Sequence, residues 1–226
     1  MTSIGCVMPT LNQSRYIVAA LDSIAGQVDE LVIVLDGCTD DTLRKVVAWP
    51  TPEGLRVKIL PRTSNRGTAA TINEGIAALD GEHDWWTWVS SDNTYSPAWR
   101  ECILKADAPD VGAVYSAFRY CRPGGSGAYH FTAHSPETLL QQEACYYGPS
   151  FLIRPSVWQP HRGRISHDFD SWLRVEEACW AQGKRIVGVP HALCDYLAHS
   201  ERVTVTRRHE YDAPHWQAEA RKRRAT

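Results

Sequence analysis

At 226 residues and 43% hydrophobic, the chain can bury a full core, and one domain is the expectation. A net charge of −2 excludes a global field that would recruit a polyanion, and no apolar run approaches the ~18 residues of a membrane span. Seven cysteines with no close pair, and no basic-then-apolar leader pattern, lead us to expect reduced thiols in a cytoplasm.

Residues 4–8 are a short apolar run stopped by Pro9, the pattern of a strand. Ile17, Ala20, Leu21 and Ile24 recur at helical spacing, and Gly26 is a stop signal. Residues 31–35 are continuously apolar, as in a strand buried on both faces, and end at Asp36-Gly37. Thr39 or Asp40 can cap a helix over 41–48. A strand over 57–60 follows, then a helix over 68–79 opened by Asn65-Arg66-Gly67. Residues 85–89 read as a fourth strand, 97–106 as a proline-started helix and 111–120 as a fifth strand. This alternation argues for a parallel sheet covered by helices. Beyond it the order changes. Residues 123–127 read as a loop or hairpin tip, 136–142 as a short helix and 168–182 as a longer one, and 186–189 and 192–197 as strands. We therefore expect a nucleotide-type α/β half followed by a less regular half of one compact domain.

Three polar sites fall at the carboxyl ends of consecutive expected strands: Asp36, Asn65-Arg66-Gly67 and Asp92. Open α/β sheets bind ligands at that edge. An acid there accepts hydrogen bonds from a base or ribose. A cation neutralises phosphate, and a second acid can hold a divalent metal against a diphosphate. Each has a plain structural alternative. Asp36-Gly37 can be a turn, Arg66 a solvated charge, and Asp92-Asn93 a turn before a helix. Their joint placement at successive strand ends favours the ligand reading.

The segment Val7-Met8-Pro9-Thr10-Leu11-Asn12, then Leu21-Asp22-Ser23-Ile24, then residues 34–42, resembles the opening of family 2 glycosyltransferases of the GT-A type. Asn65-Arg66-Gly67 with Asn73-Glu74-Gly75-Ile76 is similar to that family's next block. Residues 91–97 stand in place of its metal-binding Asp-x-Asp region, and Val114-Tyr115-Ser116 resembles the strand after it. Residues 167–174 resemble its Glu-Asp-x-Asp-x-Trp-x-Arg helix start, and Tyr196-Leu197-Ala198-His199 its closing Tyr-x-x-His. The blocks occur in the family's order over residues 4–205. The Asp-Asn-x-Tyr-x-Pro form is similar to that of spore-coat polysaccharide-type transferases.

The resemblance implies a GT-A-type α/β fold: a Rossmann-like, mainly parallel sheet flanked by helices in a single compact domain over 1–205. Residues 1–106 would bind a nucleotide-sugar donor, UDP-linked, and 107–205 the acceptor, with a basic tail over 206–226. Pro9, Thr10 and Asn12 would wall the base, Asp36 would contact base or ribose, and Arg66 would approach base or diphosphate. Asp92 would hold Mn²⁺ or Mg²⁺, and His199 would reach the metal or diphosphate. Ser90 or Ser91, depending on the alignment, takes the position of the first acid of Asp-x-Asp, and Ser91 would lie in the donor site; Leu35 and Leu11 also depart from the family's usual residues. Asp168 would be the general base of an inverting transfer. His167, Asp170 and Tyr147 would face the acceptor, a saccharide, a glycolipid or a modified DNA base. The cations of the tail (Arg207, Arg208, Arg221, Lys222, Arg223, Arg224) would be solvated or meet an anionic surface. Two other classes remain open: a nucleotidyltransferase, against which the absence of a glycine-rich phosphate loop after the first strand counts, and a non-catalytic nucleotide-binding module.

Overall fold

The computed structural model describes residues 1–122, 127–133, 147–162, 167–199, 218 and 222; within these, the side chains of 167–169 are not described. Strand β1 (Ile4–Thr10) is followed by α1 (Ile17–Ile24), β2 (Glu30–Asp36), α2 (Thr42–Ala48), β3 (Arg56–Arg62), α3 (Thr68–Ala77) and β4 (Trp85–Trp88). Then come β5 (Thr94–Tyr95), α4 (Trp99–Leu104), β6 (Val111–Cys121), β7 (Ala128–His130), β8 (Phe151–Ile153), α5 (His167–Ala181) and β9 (Arg185–Leu197). One sheet runs β3-β2-β1-β4-β8-β6-β9-β5, with β7 paired to β6.

The first half follows the expected pattern. β3, β2, β1 and β4 pair in parallel. All seven residues of β2 are buried, because helices cover both of its faces. On one face α1 and α4 pack Ile17, Leu21 and Trp99 against Ile4, Met8 and Ile33. On the other, α3 lies over Val7, Val32 and Val34. Gly75 permits that approach, since a Cβ there would collide with the Val7 side chain.

The second half departs from expectation in three places. β8, a strand the sequence did not announce, is inserted antiparallel between β4 and β6. The expected strands over 186–189 and 192–197 are one strand, β9, parallel to β6. Its register jumps from Ser116↔Val189 to Ala117↔Ala192, so Pro190 falls in the irregularity, where its missing N–H breaks no ladder bond. The helix expected from Pro97 begins at Trp99. The loop expected over 123–127 lies outside the described residues but for Gly127, as does the short helix over 136–142 and the basic tail but for Ala218 and Lys222.

A charged cluster fastens the opposite end of the sheet. The Glu30 side chain is 1% exposed and takes hydrogen bonds from the N–H of Asp80 at 2.9 Å and Gly81 at 3.2 Å. His83 Nε2 lies 3.0 Å away and Arg56 Nη2 3.1 Å away. Burial raises the Glu30 pKa, but the Asp80 N–H, His83, Arg56 and the Gly81 N–H outweigh it and hold the carboxyl below its ordinary 4.5. Glu30→Ala should therefore destabilise the fold by about 3–5 kcal/mol in urea titrations, because it leaves buried donors without their acceptor. Because the folded pKa is depressed, this carboxylate's contribution is present above pH 4.5 and lost as pH falls through the lowered value.

Candidate active site

β1, β2 and β4 run in the same direction, so their carboxyl ends share one edge of the sheet. The loops leaving that edge are tied to one another. Asn12 adopts φ +50°, which an Asn tolerates better than most residues. Its Oδ1 accepts from the N–H of Thr39 at 2.8 Å and of Asp40 at 3.4 Å. The Cys38 thiol donates to the Thr10 carbonyl at 3.5 Å and receives the Asn12 N–H at 3.4 Å. Burial pushes the Cys38 pKa up, so the group that makes these contacts is the neutral thiol. Pro9, Thr10 and Asn12 thus stand together on a braced loop. Ser91 joins it from the turn after β4, its hydroxyl donating to the Pro9 carbonyl at 3.3 Å.

Asp36 is buried at the end of β2, and both of its oxygens are engaged. Oδ1 accepts from the Arg66 N–H at 2.8 Å and from Arg62 Nη1 at 2.9 Å, and Oδ2 accepts from the Gly67 N–H at 2.8 Å. The carboxylate therefore holds the main chain just before α3 and fixes the loop that carries Arg66. Arg62 extends the cluster, pairing with Glu74 as well. Its own burial opposes the charge, but the Glu74 and Asp36 carboxylates prevail and raise its pKa. The Arg66 guanidinium is 62% exposed and reaches Glu74 at 3.4 Å. Sequence reading missed Arg62 and gave Glu74, quoted within a family block, no role of its own. A cation at the carboxyl end of the third strand was the available signal.

Asp92 meets His199, 107 residues away: Oδ2 and Nε2 are 2.9 Å apart, with side chains 16% and 4% exposed. The short β5–β9 ladder makes this meeting possible, with Thr94↔Asp195 and Tyr95↔Cys194 in register. Asn93 continues it, Oδ1 accepting the Leu197 N–H at 3.1 Å. The Tyr16 ring packs on the His199 ring at 4.7 Å. Nδ1 of His199 and Nδ2 of Asn93 are buried and without a hydrogen-bond partner among the described residues. Neither Tyr16 nor Asn93 was singled out from the sequence.

Among the described residues, no group of three or more His, Cys, Asp or Glu side chains converges as a self-sufficient metal site. The Asp92–His199 pair supplies one carboxylate oxygen and one imidazole nitrogen. That donor set fits a cation whose other positions go to phosphate oxygens and water, the habit of Mg²⁺ at nucleotide sites. Imidazole is also acceptable to Mn²⁺.

Two expected acceptor contacts are placed elsewhere. Tyr147 is fully buried. Its ring stacks on Trp172 at 3.8 Å and its hydroxyl bonds Glu176, so it is a core residue and not an acceptor wall. Asp170 is 1% exposed and holds Arg174 at 2.8 and 3.0 Å, an i,i+4 ion pair that removes it from the acceptor side. His167 and Asp168 begin α5, and their side chains lie outside the described residues.

Residues 6–162 match the model of a family described as Glycosyl transferase family 2. Among solved structures, residues 1–349 of S. aureus TarS in complex with UDP-GlcNAc align at 17% identity and TM-score 0.65, over 89% of this chain and 60% of that one. A mannosyltransferase from Pyrobaculum calidifontis, in complex with GDP-Man and Mn²⁺, aligns at 17% identity and TM-score 0.67, over 97% and 64%. Glucosyl-3-phosphoglycerate synthase from Mycobacterium tuberculosis, with Mn²⁺, UDP-Glc and glycerol 3-phosphate, aligns at 18% and 0.60, over 89% and 73%. The chain spans 61% of the TarS 1–349 structure and 37% of a longer TarS structure. No curated protein matches the chain in sequence. At these identities the neighbours share the fold, the GT-A arrangement of one curled sheet flanked by helices. With more than half of its length matched by the family model, the chain belongs to glycosyl transferase family 2.

Proposed function

We propose that this chain is an inverting glycosyltransferase that moves a sugar from a UDP-linked donor to an acceptor hydroxyl. The observation that carries the reading is the Asp92–His199 pair, set 2.9 Å apart on the edge where β1, β2 and β4 end. Crystal structures with this fold include complexes with UDP-GlcNAc, with UDP-Glc and Mn²⁺, and with GDP-Man and Mn²⁺. Asp92 and His199 would hold the Mn²⁺ or Mg²⁺ ion. When bound, it supplies positive charge for the diphosphate leaving group.

The remaining roles belong to the chain's own groups. Pro9, Thr10 and Asn12 wall the base on the braced first loop. Asp36 acts on the donor through the main chain it holds, fixing Arg66 so that its guanidinium faces the diphosphate. Ser91 replaces an acid with a hydroxyl, which leaves the donor block with one negative charge fewer beside the phosphates. Asp168, at the start of α5, takes the proton from the acceptor hydroxyl. The acceptor oxygen then bonds the anomeric carbon from the face opposite the diphosphate, whose bond to that carbon breaks. His167 stands beside it on the acceptor side. Residues 1–106 form the donor half and 107–205 the acceptor half.

The test is hydrolytic turnover of UDP-Glc, UDP-GlcNAc and GDP-Man in Mn²⁺, with the released sugar followed by proton NMR. The reading requires release of the β anomer first from the α-linked donor. Initial release of the α anomer, or no release from any of the three, contradicts it.

A further inference from the structure

Asn73, on the second turn of α3, closes a two-point clamp on the main chain of His161. Its Nδ2–H donates to the His161 carbonyl at 2.8 Å, and its Oδ1 accepts the His161 N–H at 2.8 Å. The two residues are 88 positions apart. Such a clamp needs a donor and an acceptor on one short planar tip, which the Asn carboxamide provides.

The same segment is gripped from the other side by α5. Arg174 donates to the Pro160 carbonyl and, at 3.4 Å, to Oε1 of Gln159, and the Ser171 hydroxyl donates to the Gln159 carbonyl at 3.3 Å. Asp170 aims Arg174. The His161 ring is seated against Trp88 and Trp158, with centroids 6.1 and 5.6 Å away. Residues 159–161 are thus a joint. α3 on one side of it begins at the sheet edge, where Asp36 holds Arg66 and Gly67. α5 on the other side begins at His167.

We propose that Asn73 is a positioning residue that sets the start of α5, and with it Asp168, at a fixed distance from the donor edge. The catalytic part of this statement rests on the reading of Asp168 as the general base. Losing the clamp frees both main-chain polar groups of one residue, His161, and leaves Arg174 and Ser171 holding a segment no longer anchored to α3. A displacement of about 1 Å in a reacting group lowers turnover by about 10²-fold.

The experiment compares the full-length chain with Asn73→Ala, Asn73→Asp and Asp168→Ala. It measures amide hydrogen exchange over residues 158–162 and 170–175, Mn²⁺-dependent UDP affinity, and hydrolysis of whichever of UDP-Glc, UDP-GlcNAc or GDP-Man the unaltered chain turns over. Asn73→Ala should raise exchange in both segments by about tenfold or more. UDP affinity should stay within about twofold, and kcat should fall about 10–100-fold. Asn73→Asp keeps the acceptor and loses the donor. Its carboxyl regains a donor when protonated, so exchange protection should recover as pH falls toward about 4, a profile absent from the unaltered chain.

Unchanged exchange over 158–162 and 170–175 in Asn73→Ala, with only a lower melting temperature, overturns the proposal. So does a loss of UDP affinity that matches the loss of kcat. If Asp168→Ala keeps full turnover, the base reading fails and the catalytic part falls with it, while the exchange result still decides whether Asn73 fixes α5. If no donor is turned over, the functional reading fails and the catalytic part falls with it, while the exchange arm still decides the clamp.

Discussion

Replacing Asp168 with alanine is expected to lower turnover by about 10²–10⁴-fold while donor affinity stays within about twofold. The asymmetry follows from where the residue stands. Asp168 opens α5, and α5 packs through Trp172, Leu173 and Val175 into the aromatic cluster of the second half. A general base acts on the acceptor proton as the new bond forms, so its loss is felt in the transition state and not in donor binding. Steady-state kinetics with saturating donor, beside a direct UDP titration, separates the two quantities. A proportionate rise in KM with kcat preserved would move Asp168 out of the catalytic role and into substrate binding.

Replacing Asp92 with alanine is expected to reduce metal-dependent turnover by about 10³-fold or more, equivalent to several kcal/mol of leaving-group stabilisation. Here affinity should fall with rate, since the same carboxylate would anchor the cation that joins donor to protein. The variant should still fold. The Asn93–Leu197 bond and the β5–β9 ladder do not use the Asp92 side chain. Removing the carboxylate leaves His199 Nε2 without its partner at 2.9 Å, so a small loss of stability is compatible with the account. Turnover that persists at the same level with a metal chelator present would show that the pair has another purpose.

The parts of the molecule that were legible in the sequence are those specified by local pattern. The continuous apolar run of 31–35 announced a strand buried on both faces, and β2 is buried at every position. Asp36 was visible as a carboxylate directly after such a run, and Asp92 two serines beyond the run over 85–89. Pro190 split β9 into two expected strands, because a proline breaks the period of a strand unless an irregular register absorbs it. β8 is three residues long and owes its existence to β4 and β6 on either side, which no local signal carries. The roles of Arg62, Asn73, Asn93 and Tyr16 are set by partners 26, 88, 104 and 183 positions away, beyond the reach of spacing arguments. Tyr147 misled for a physical reason. A tyrosine in a polar, glycine-containing stretch reads as a binding wall, whereas Trp172 and Glu176 on α5 draw it into the core. The fate of Asp170 was readable, because Arg174 stands four residues on along the same helix.

The central claim is that the Asp92–His199 edge binds a nucleoside diphosphate through a divalent cation. Calorimetric titration of UDP, GDP, CDP, ADP and dTDP, each with and without Mn²⁺, beside Asp92→Ala, tests it most directly. The account predicts Mn²⁺-dependent binding of UDP in preference to the others, abolished in the variant. Binding of UDP that is indifferent to Mn²⁺ and to Asp92, or binding of none of the five, would contradict it.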